Sequence, residues 1–500
     1  MLISMNSSQD LSAQRHSLAH LLAAAVRELW PEAKNTLGPA IDNGFYYDFD
    51  FGAEKISDAD LEKIEERMRA LLPSWETFVE IVTSVDEARE AFSGNPYKLE
   101  LIQELEKKGE KITLYYSGPK NLTPSLPDLK AKSWKLKAGS FLDLCRGGHV
   151  ENMAEVAPDS FKLSRLAGAY WRGSEKNKML TRIYGLAFDT KAELDAYLIQ
   201  QEEAKKRDHR KLGKELGLFT IIDEVGPGLP LFYPKGALLR SLVENFINDL
   251  QVKRGYLPIW IPHITRGELY KMSGHLDKYD AMYPPMKLRD EADYYLKPMN
   301  CPHFMMLYKS LPHSYRDLPV RYVCTTTNYR YEKSGELSGL TRVRSLTQDD
   351  CHVFCTEEQI ETEIALMLEM IKEVYAAFGL TDFYVRISLR DPKNKEAYLG
   401  TDTVWETAEK ALRNIVKKTG WQSVEAEGEA AFYGPKLDFM FKDAIGREWQ
   451  LSTIQLDFNL PERFDLEYTA SDGSKQRPVV IHRAILGSTE RFLGIMIEHY

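Results

Sequence analysis

Two pairs of side chains stand four residues apart in the first third of the chain: His16 and His20 in HSLAH, and Cys145 and His149 in CRGGH. On a helix, residues i and i+4 share a face, so the rings of His16 and His20 can reach one point. A zinc-peptidase helix carries a glutamate directly after its first histidine; Ser17 stands there, which removes that reading. The four side chains suit a Cys/His₃ zinc site or a metal-free hydrolytic pocket, and spacing alone leaves open whether the two pairs meet. Further on, Arg330-Tyr331-Glu332 precedes KSGELSGLTRVR, which brings Arg342 and Arg344. Arginine forks match phosphate and carboxylate, and the intervening glycines and serines describe a hairpin loop over an anionic ligand. A surface hairpin held by salt bridges reads the same way. Near the end, His482 leads through Gly487 to Arg491. Glycine allows close packing on a ligand, and an arginine on the next helix can face phosphate. There is no P-loop and no strand followed by Gly-x-Gly-x-x-Gly, so nucleotide use by those two folds is excluded.

The elements that must position these groups can be read from periodicity. Residues 12–30 predict an amphipathic helix with Leu18, Leu21, Leu22, Val26 and Leu29 near one face, stopped by Pro31. Residues 41–51 alternate aromatic and polar side chains after an Asn-Gly, predicting a turn and a strand. Residues 56–72 and 84–92 read as charged helices. Short strand-like runs lie between Lys111 and Val150, broken by Ser-Gly-Pro, Thr-Pro and Gly-Gly. A long charged helix is expected across 195–216, with a domain boundary near 210. It reads as a solvated connector, and its lysines and arginines can also touch nucleic-acid phosphate. Beyond it, a helix at 235–253 leads into a strand ending at Pro262. Further strands are expected at 319–326, 343–355, 383–390, 430–442 and 447–458, with helices at 357–378, 404–418 and 485–500. Helix and strand mix without regular alternation, so the fold class is α+β.

Composition bounds the rest. The chain has 500 residues, 43% apolar and 28% charged, which fits several globular domains and excludes collagen, disorder and coiled coil. A net charge of -9 excludes a uniformly basic nucleic-acid binder but not a local basic face. No apolar run is long enough for a membrane span, and Met1 to Leu11 lacks the pattern of a secretory signal. Five cysteines, Cys145, Cys301, Cys324, Cys351 and Cys355, are too few for a disulfide scaffold and read as thiols in a reducing cytoplasm.

In this setting the motifs resemble a known family. The second part resembles the class II aminoacyl-tRNA synthetases. Their motif 1 corresponds to the helix and strand at 235–262, motif 2 to Arg330-x-Glu332 with its loop to Arg342, and motif 3 to Gly487 through Arg491. KPMNCP at 297–302, SYRDLP at 314–319, TQDDCHVFC at 347–355, AFYGPKLDF at 431–439, IQLDF at 454–458 and IHRAILGSTERF at 481–492 are similar to the threonyl-tRNA synthetases. HSLAH, IDNGFYYD at 41–48, CRGGH, GAYWRG at 168–173 and KRDHRKLGKEL at 206–216 are similar to the second N-terminal domain of that family. The resemblance implies an antiparallel catalytic sheet flanked by helices and preceded by an α+β editing domain. It divides the chain into an editing domain at 1–205, a linker helix at 206–218 and a class II core at 219–500.

It also implies roles. Arg330 would bridge the α-phosphate of ATP and the threonine carboxylate, and Glu332 would hold the adenine amino group. Arg342 and Arg491 would hold the γ-phosphate, with Mg²⁺ neutralising the triphosphate and Gln450 contacting the nucleotide. Gln455 and His275 would position the tRNA terminal ribose. Cys301, His352 and His482 match the family's zinc ligands, and Gln348, Asp350 and Tyr433 complete the threonine pocket. A zinc site of three ligands keeps one position for substrate, and valine, lacking a hydroxyl, leaves it unmet. Serine keeps the hydroxyl, and a methylene-sized difference is worth about 1–3 kcal/mol, too little for accurate translation. His16, His20, Cys145 and His149, with Asp143 nearby, match the site that hydrolyses the seryl ester, read as working without bound metal, a metal-bound alternative remaining. The implied partners are tRNA(Thr), ATP and L-threonine, with a homodimer formed through motif 1 and no membrane.

The chain departs from the family pattern in NCPHF at 300–304, where NCPGH is usual, and in TTTNYRYEKSG around Arg330. The family's small ubiquitin-like and anticodon-binding domains have no counterpart in it, which reads as a cropped chain. Two other functions compete: an RNA-binding relative that does not charge tRNA, and a synthetase that adenylates another small hydroxy amino acid such as serine.

Overall fold

The structure, a computed structural model, describes residues 8–124, 137–289, 292–443 and 445–500. It comprises two compact units, Met1–Gln201 and Glu202–Tyr500.

In the first unit the expected N-terminal helix runs Ser8–Leu29, and Leu18, Leu21, Leu22 and Val26 are fully buried. It covers a five-stranded antiparallel sheet in which Gly44–Asp50 pairs with Met179–Ala187 and that strand with Phe161–Tyr170. A second sheet joins Thr77–Thr83, Ile112–Gly118 and Phe141–Leu144, all antiparallel. The expected strand-like runs between Lys111 and Val150 are the last two of these; residues 125–136 lie outside the described residues. One helix, Pro96–Lys108, goes beyond the sequence expectation. Asn95 caps it, its side chain accepting from the Tyr97 and Lys98 N–H groups, and Gly109 ends it at φ 66°.

The second unit is built on an eight-stranded sheet. In order across it come Leu257–Pro258, Val320–Tyr329, Ser345–Cys355, Val479–Ala484, Glu448–Asp457, Lys436–Lys442, Phe383–Leu389 and Ser423–Glu427. The inner pairings are antiparallel and only the two edge strands pair in parallel. Helices Pro234–Lys253, Ile360–Ala377, Asp402–Thr419 and Thr489–His499 contribute to one core with the sheet, through Ile247, Ile371, Leu412 and Phe492. The fold is α+β, as the sequence indicates.

Three expectations are corrected. The strand expected to end at Pro262 is only the two-residue Leu257–Pro258, and Trp260 is 79% exposed. The charged run across 195–216, including the proposed linker helix at 206–218, is two helices, Lys191–Arg207 and His209–Glu215. Asp208 separates them because its side chain caps the second, accepting from the Arg210 N–H at 2.8 Å. The final helix begins at Thr489, not at Ile485, because Gly487 turns the chain at φ 74° and Ser488 caps the helix from Thr489 onward. Among the described residues no helix is long and apolar enough to cross a membrane.

Candidate active site

Side chains alternate across a strand, so residues two apart share a face. Along Ser345–Cys355 this puts Gln348, Asp350 and His352 on one face and Asp349, Cys351 and Val353 on the other. Cys351 and Val353 enter the helix-covered core. Gln348 and Asp350 line a cavity of about 470 Å³. Register carries the cavity face across the sheet: His352 lies opposite His482, His482 opposite Gln455, and Gln455 opposite Lys436.

Cys301 reaches this row from the start of the Cys301–Lys309 helix. Ligand atoms of Cys301, His352 and His482 all lie within 4.8 Å of one another, and all three residues are buried. His482 Nδ1 is 2.7 Å from His352 Nε2, and His482 Nε2 is 2.9 Å from Asp457 Oδ2. Asp457 thereby fixes the ring so that Nδ1 faces the cluster. Burial opposes charge on His482, but Cys301 and Asp457 outweigh it and raise its pKa to about 10. Burial and His482 hold His352 well below the ordinary range, which makes it a neutral donor. Its Nδ1 makes no hydrogen bond. One thiol and two imidazoles around a point beside the cavity fit zinc with an open position. Phe304, at a position where the sequence departs from the family pattern, stacks on His352 at 4.1 Å.

Beside this cluster, Asn300 donates to Asp350 at 2.8 Å, and Lys297 donates to Asn300 and Thr326, each at 2.8 Å. Burial raises the Asp350 carboxyl to about 6 and lowers the Lys297 ammonium to about 8. The Tyr433 hydroxyl is 3.8 Å from Cys301 Sγ. The Gln348 amide is fixed at both ends, accepting from Asn328 and donating to the Gly487 carbonyl.

The rim is cationic. Arg330, Arg342 and Arg491 line the same cavity as Glu332. Arg342 donates to Glu332 at 2.8 Å and to Glu336 at 2.8 Å. Arg491 donates to the Thr341 carbonyl at 3.0 Å. Its pKa is lowered by burial and then by Arg330 and Arg342, with Glu332 opposing them. Gln455 lines the cavity with its amide on the Gly434 carbonyl, and Gln450 lines it while donating to Asp438 and Thr453. His275 is not among the lining residues. It is fully buried behind Met299, with Nε2 3.2 Å from the Met299 sulfur and Nδ1 2.7 Å from Ser273 Oγ.

The first unit holds a second site. His16 and His20 project from the Ser8–Leu29 helix toward Cys145 and His149, and ligand atoms of all four lie within 4.8 Å of one another. Cys145 and His149 are not helical. They flank Gly147 and Gly148, whose φ values of 93° and 86° fold the loop back on itself. Cys145 Sγ is 3.6 Å from His16 Nε2 and 3.4 Å from His149 Nε2. His149 stacks on Phe78 at 4.8 Å, and its Nδ1 is 3.3 Å from Ser17 Oγ. Burial lowers the pKa of all three histidines and raises the Cys145 thiol to about 11. Asp143 sits 3.9 Å from His20 Nε2, bound by Lys98 at 2.5 Å and by the Tyr47 hydroxyl. His16, His20, Asp143 and Cys145 line a cavity of about 420 Å³ with Lys98, Lys108, Lys111 and Arg146.

Family comparisons bear on both sites. Residues 285–500 match the tRNA synthetase class II core domain (G, H, P, S and T), and residues 136–184 match the threonyl and alanyl tRNA synthetase second additional domain. The threonine–tRNA ligase of Rubrobacter xylanophilus is 50% identical over 500 residues, covering 100% of this chain and 74% of the relative. The chain belongs to the threonyl-tRNA synthetase family. The family's ligase from Gloeobacter violaceus is 49% identical across 98% of the chain and 76% of its own length. Among solved structures, the RNA binding domain of threonyl-tRNA synthetase from Cryptosporidium parvum Iowa II superposes with a TM-score of 0.56 at 41% identity. That match covers 58% of this chain and 72% of that one.

In this synthetase, several site residues lie beyond the reach of the sequence reading. Lys98 and Tyr47 hold Asp143, Asp457 orients His482, and Lys436, which lines the larger cavity, pairs with Asp438, as does Arg386. The alternation in GPKLDF puts Lys436 and Asp438 on one face, a usable signal. Lys98 has none, because the sequence reading gives it no helix.

Proposed function

We propose that this chain activates L-threonine with ATP, transfers it to the 3′ end of tRNA(Thr), and hydrolyses seryl-tRNA(Thr) at the second site. The observation that carries the reading is the single cavity joining three guanidinium groups to Cys301 and His482 at its floor. In the first step a threonine carboxylate oxygen attacks the α-phosphorus, and pyrophosphate leaves. Arg330 holds carboxylate and α-phosphate together, while Arg342 and Arg491 take the γ-phosphate. Glu332 turns from Arg342 toward the adenine amine, and Mg²⁺ enters with ATP. In the second step the terminal ribose hydroxyl attacks the threonyl carbonyl and AMP leaves. Gln455 contacts that ribose directly, and His275 acts through Met299.

Zinc held by Cys301, His352 and His482 would supply a Lewis-acidic position for the threonine amine and hydroxyl together. Gln348, Asp350 and Tyr433 form the wall around that amino acid. In domain terms, editing occupies 1–205, the linker 206–218 and synthesis 219–500. The chain acts as a homodimer: Leu238 and Leu242 on the helix of motif 1, Leu257 on its short strand and Trp260 just beyond are more than half exposed.

Threonine-dependent ATP–pyrophosphate exchange, with and without a zinc chelator, tests the synthetic half. Exchange with threonine and not valine, abolished by chelation and restored by zinc, is expected. A folded, zinc-loaded chain without exchange would favour the RNA-binding relative that does not charge.

A further inference from the structure

A third cluster lies outside both sites: Asp208, His209 and Glu498, whose ligand atoms also fall within 4.8 Å of one another. His209 is 2% exposed, and both of its ring nitrogens are engaged. Nε2 accepts the Leu340 N–H at 2.8 Å, so the proton is on Nδ1, which donates to Glu498 at 2.5 Å. The Glu498 oxygen also accepts the His209 backbone N–H at 3.0 Å. No lone pair remains on the ring for a metal. The cluster is a brace between three elements: the His209–Glu215 helix, the final helix and the hairpin loop of motif 2.

The point it grips in that loop is specific. Ser338 and Arg342 exchange backbone hydrogen bonds of 3.2 Å around a tight turn. Inside the turn, His209 accepts from the Leu340 N–H, and Arg491 donates to the next carbonyl, that of Thr341. The Leu340 side chain is fully buried. Packing around the brace is close. A Cβ on Gly339 would come within 2.1 Å of His209 Nε2, and one on Gly494 within 3.2 Å of Leu340 Cβ. Arg342, two residues beyond Leu340, is exposed, and among the described residues its side chain is tethered only through Glu332 and Glu336. An exposed arginine has many rotamers, so its aim depends on how firmly its backbone is held.

We propose that His209 is a positioning residue for ATP: by accepting the Leu340 N–H it sets the motif 2 turn that aims Arg342 into the nucleotide cavity. The inference rests on the assignment of Arg342 to the triphosphate. Two substitutions divide the ring's two bonds. His209→Asn keeps a donor toward Glu498 and removes the acceptor for Leu340. His209→Gln places an acceptor near Leu340 and gives up the side-chain bond to Glu498. In ATP–pyrophosphate exchange by the 500-residue chain, H209N should raise the KM for ATP about tenfold, the effect of one lost buried hydrogen-bond partner. Its KM for threonine should stay near wild type, and H209Q should recover most of the ATP affinity. A KM for ATP unchanged in H209N, or raised equally in H209N and H209Q, would overturn the proposal, the second because it would mark a general helix-docking role. Arg342→Ala is the separate control. If it leaves the KM for ATP unchanged, the assignment of Arg342 fails on its own, whatever the His209 variants do.

Discussion

Burial leaves His16, His20 and His149 uncharged at neutral pH, because each has a pKa below the ordinary 6.5. A base whose pKa lies far below the working pH, as for His20 and His149, takes up protons poorly. Their lone pairs and N–H groups are therefore better suited to fixing a water molecule against an ester than to removing its proton. The expected consequence is a deacylation rate on seryl-tRNA without a histidine inflection between about pH 6 and 7. A fall in rate with an apparent pKa near 6.5 would reject water positioning in favour of general base catalysis. Stability has the opposite sensitivity. Unfolded histidines take up protons below about pH 6.5 while the folded ones do not, so the melting temperature should fall as pH drops through that value. At this scale the sequence was informative where spacing met helix geometry, as for His16 and His20. Cys145 and His149 share that spacing for another reason, two left-handed glycines, and the Gly-Gly of CRGGH marks a break without showing where the loop carries the two side chains.

Elements matter most where strands end. Asp349, on the sheet face away from the cavity, accepts the N–H groups of Ile485 and Leu486 at 2.8 and 2.9 Å and pairs with buried Arg483. It holds the turn between the Val479–Ala484 strand and the final helix. Gly487 completes that turn at φ 74°, and a Cβ there would lie 2.5 Å from the Leu451 carbonyl oxygen. Gly487→Ala should cost about 1–3 kcal/mol from the strained backbone alone, read as a lower denaturation midpoint. Because the Gly487 carbonyl also anchors Gln348, exchange activity should fall as well. An alanine variant with wild-type midpoint and activity would show that the turn relaxes freely. Most strands and helices of this unit were legible from their apolar periodicity. The turn was not, because ILGSTERFLGIMIEH is apolar enough to pass for continuous helix until the backbone sign at Gly487 is known.

For the whole molecule, each unit carries its own apolar core, one around Leu22, Phe45 and Ile183 and the other around Ile371, Phe439 and Phe492. Damage at one site should spare the other. His16→Ala with His20→Ala should leave threonine-dependent exchange intact while seryl-tRNA(Thr) accumulates in a charging assay. Loss of exchange in that variant would mean that the first unit supports the second. Self-association is tested separately. Leu238→Glu with Trp260→Asp should convert a dimer to a monomer by sedimentation, and a variant sedimenting like the wild type would place the interface elsewhere.

The pairing of the large sheet also constrains when its chemistry can begin. His352 and His482 face each other across neighbouring strands although 130 residues separate them. Sliding either strand by a single residue would turn its histidine to the opposite surface. The Cys/His₂ cluster therefore exists only in molecules in which segments 130 residues apart have already found correct alignment, a slow, entropically expensive search. Uptake of metal during refolding would time the completion of that search, making the cluster a reporter of topology as well as a place for chemistry.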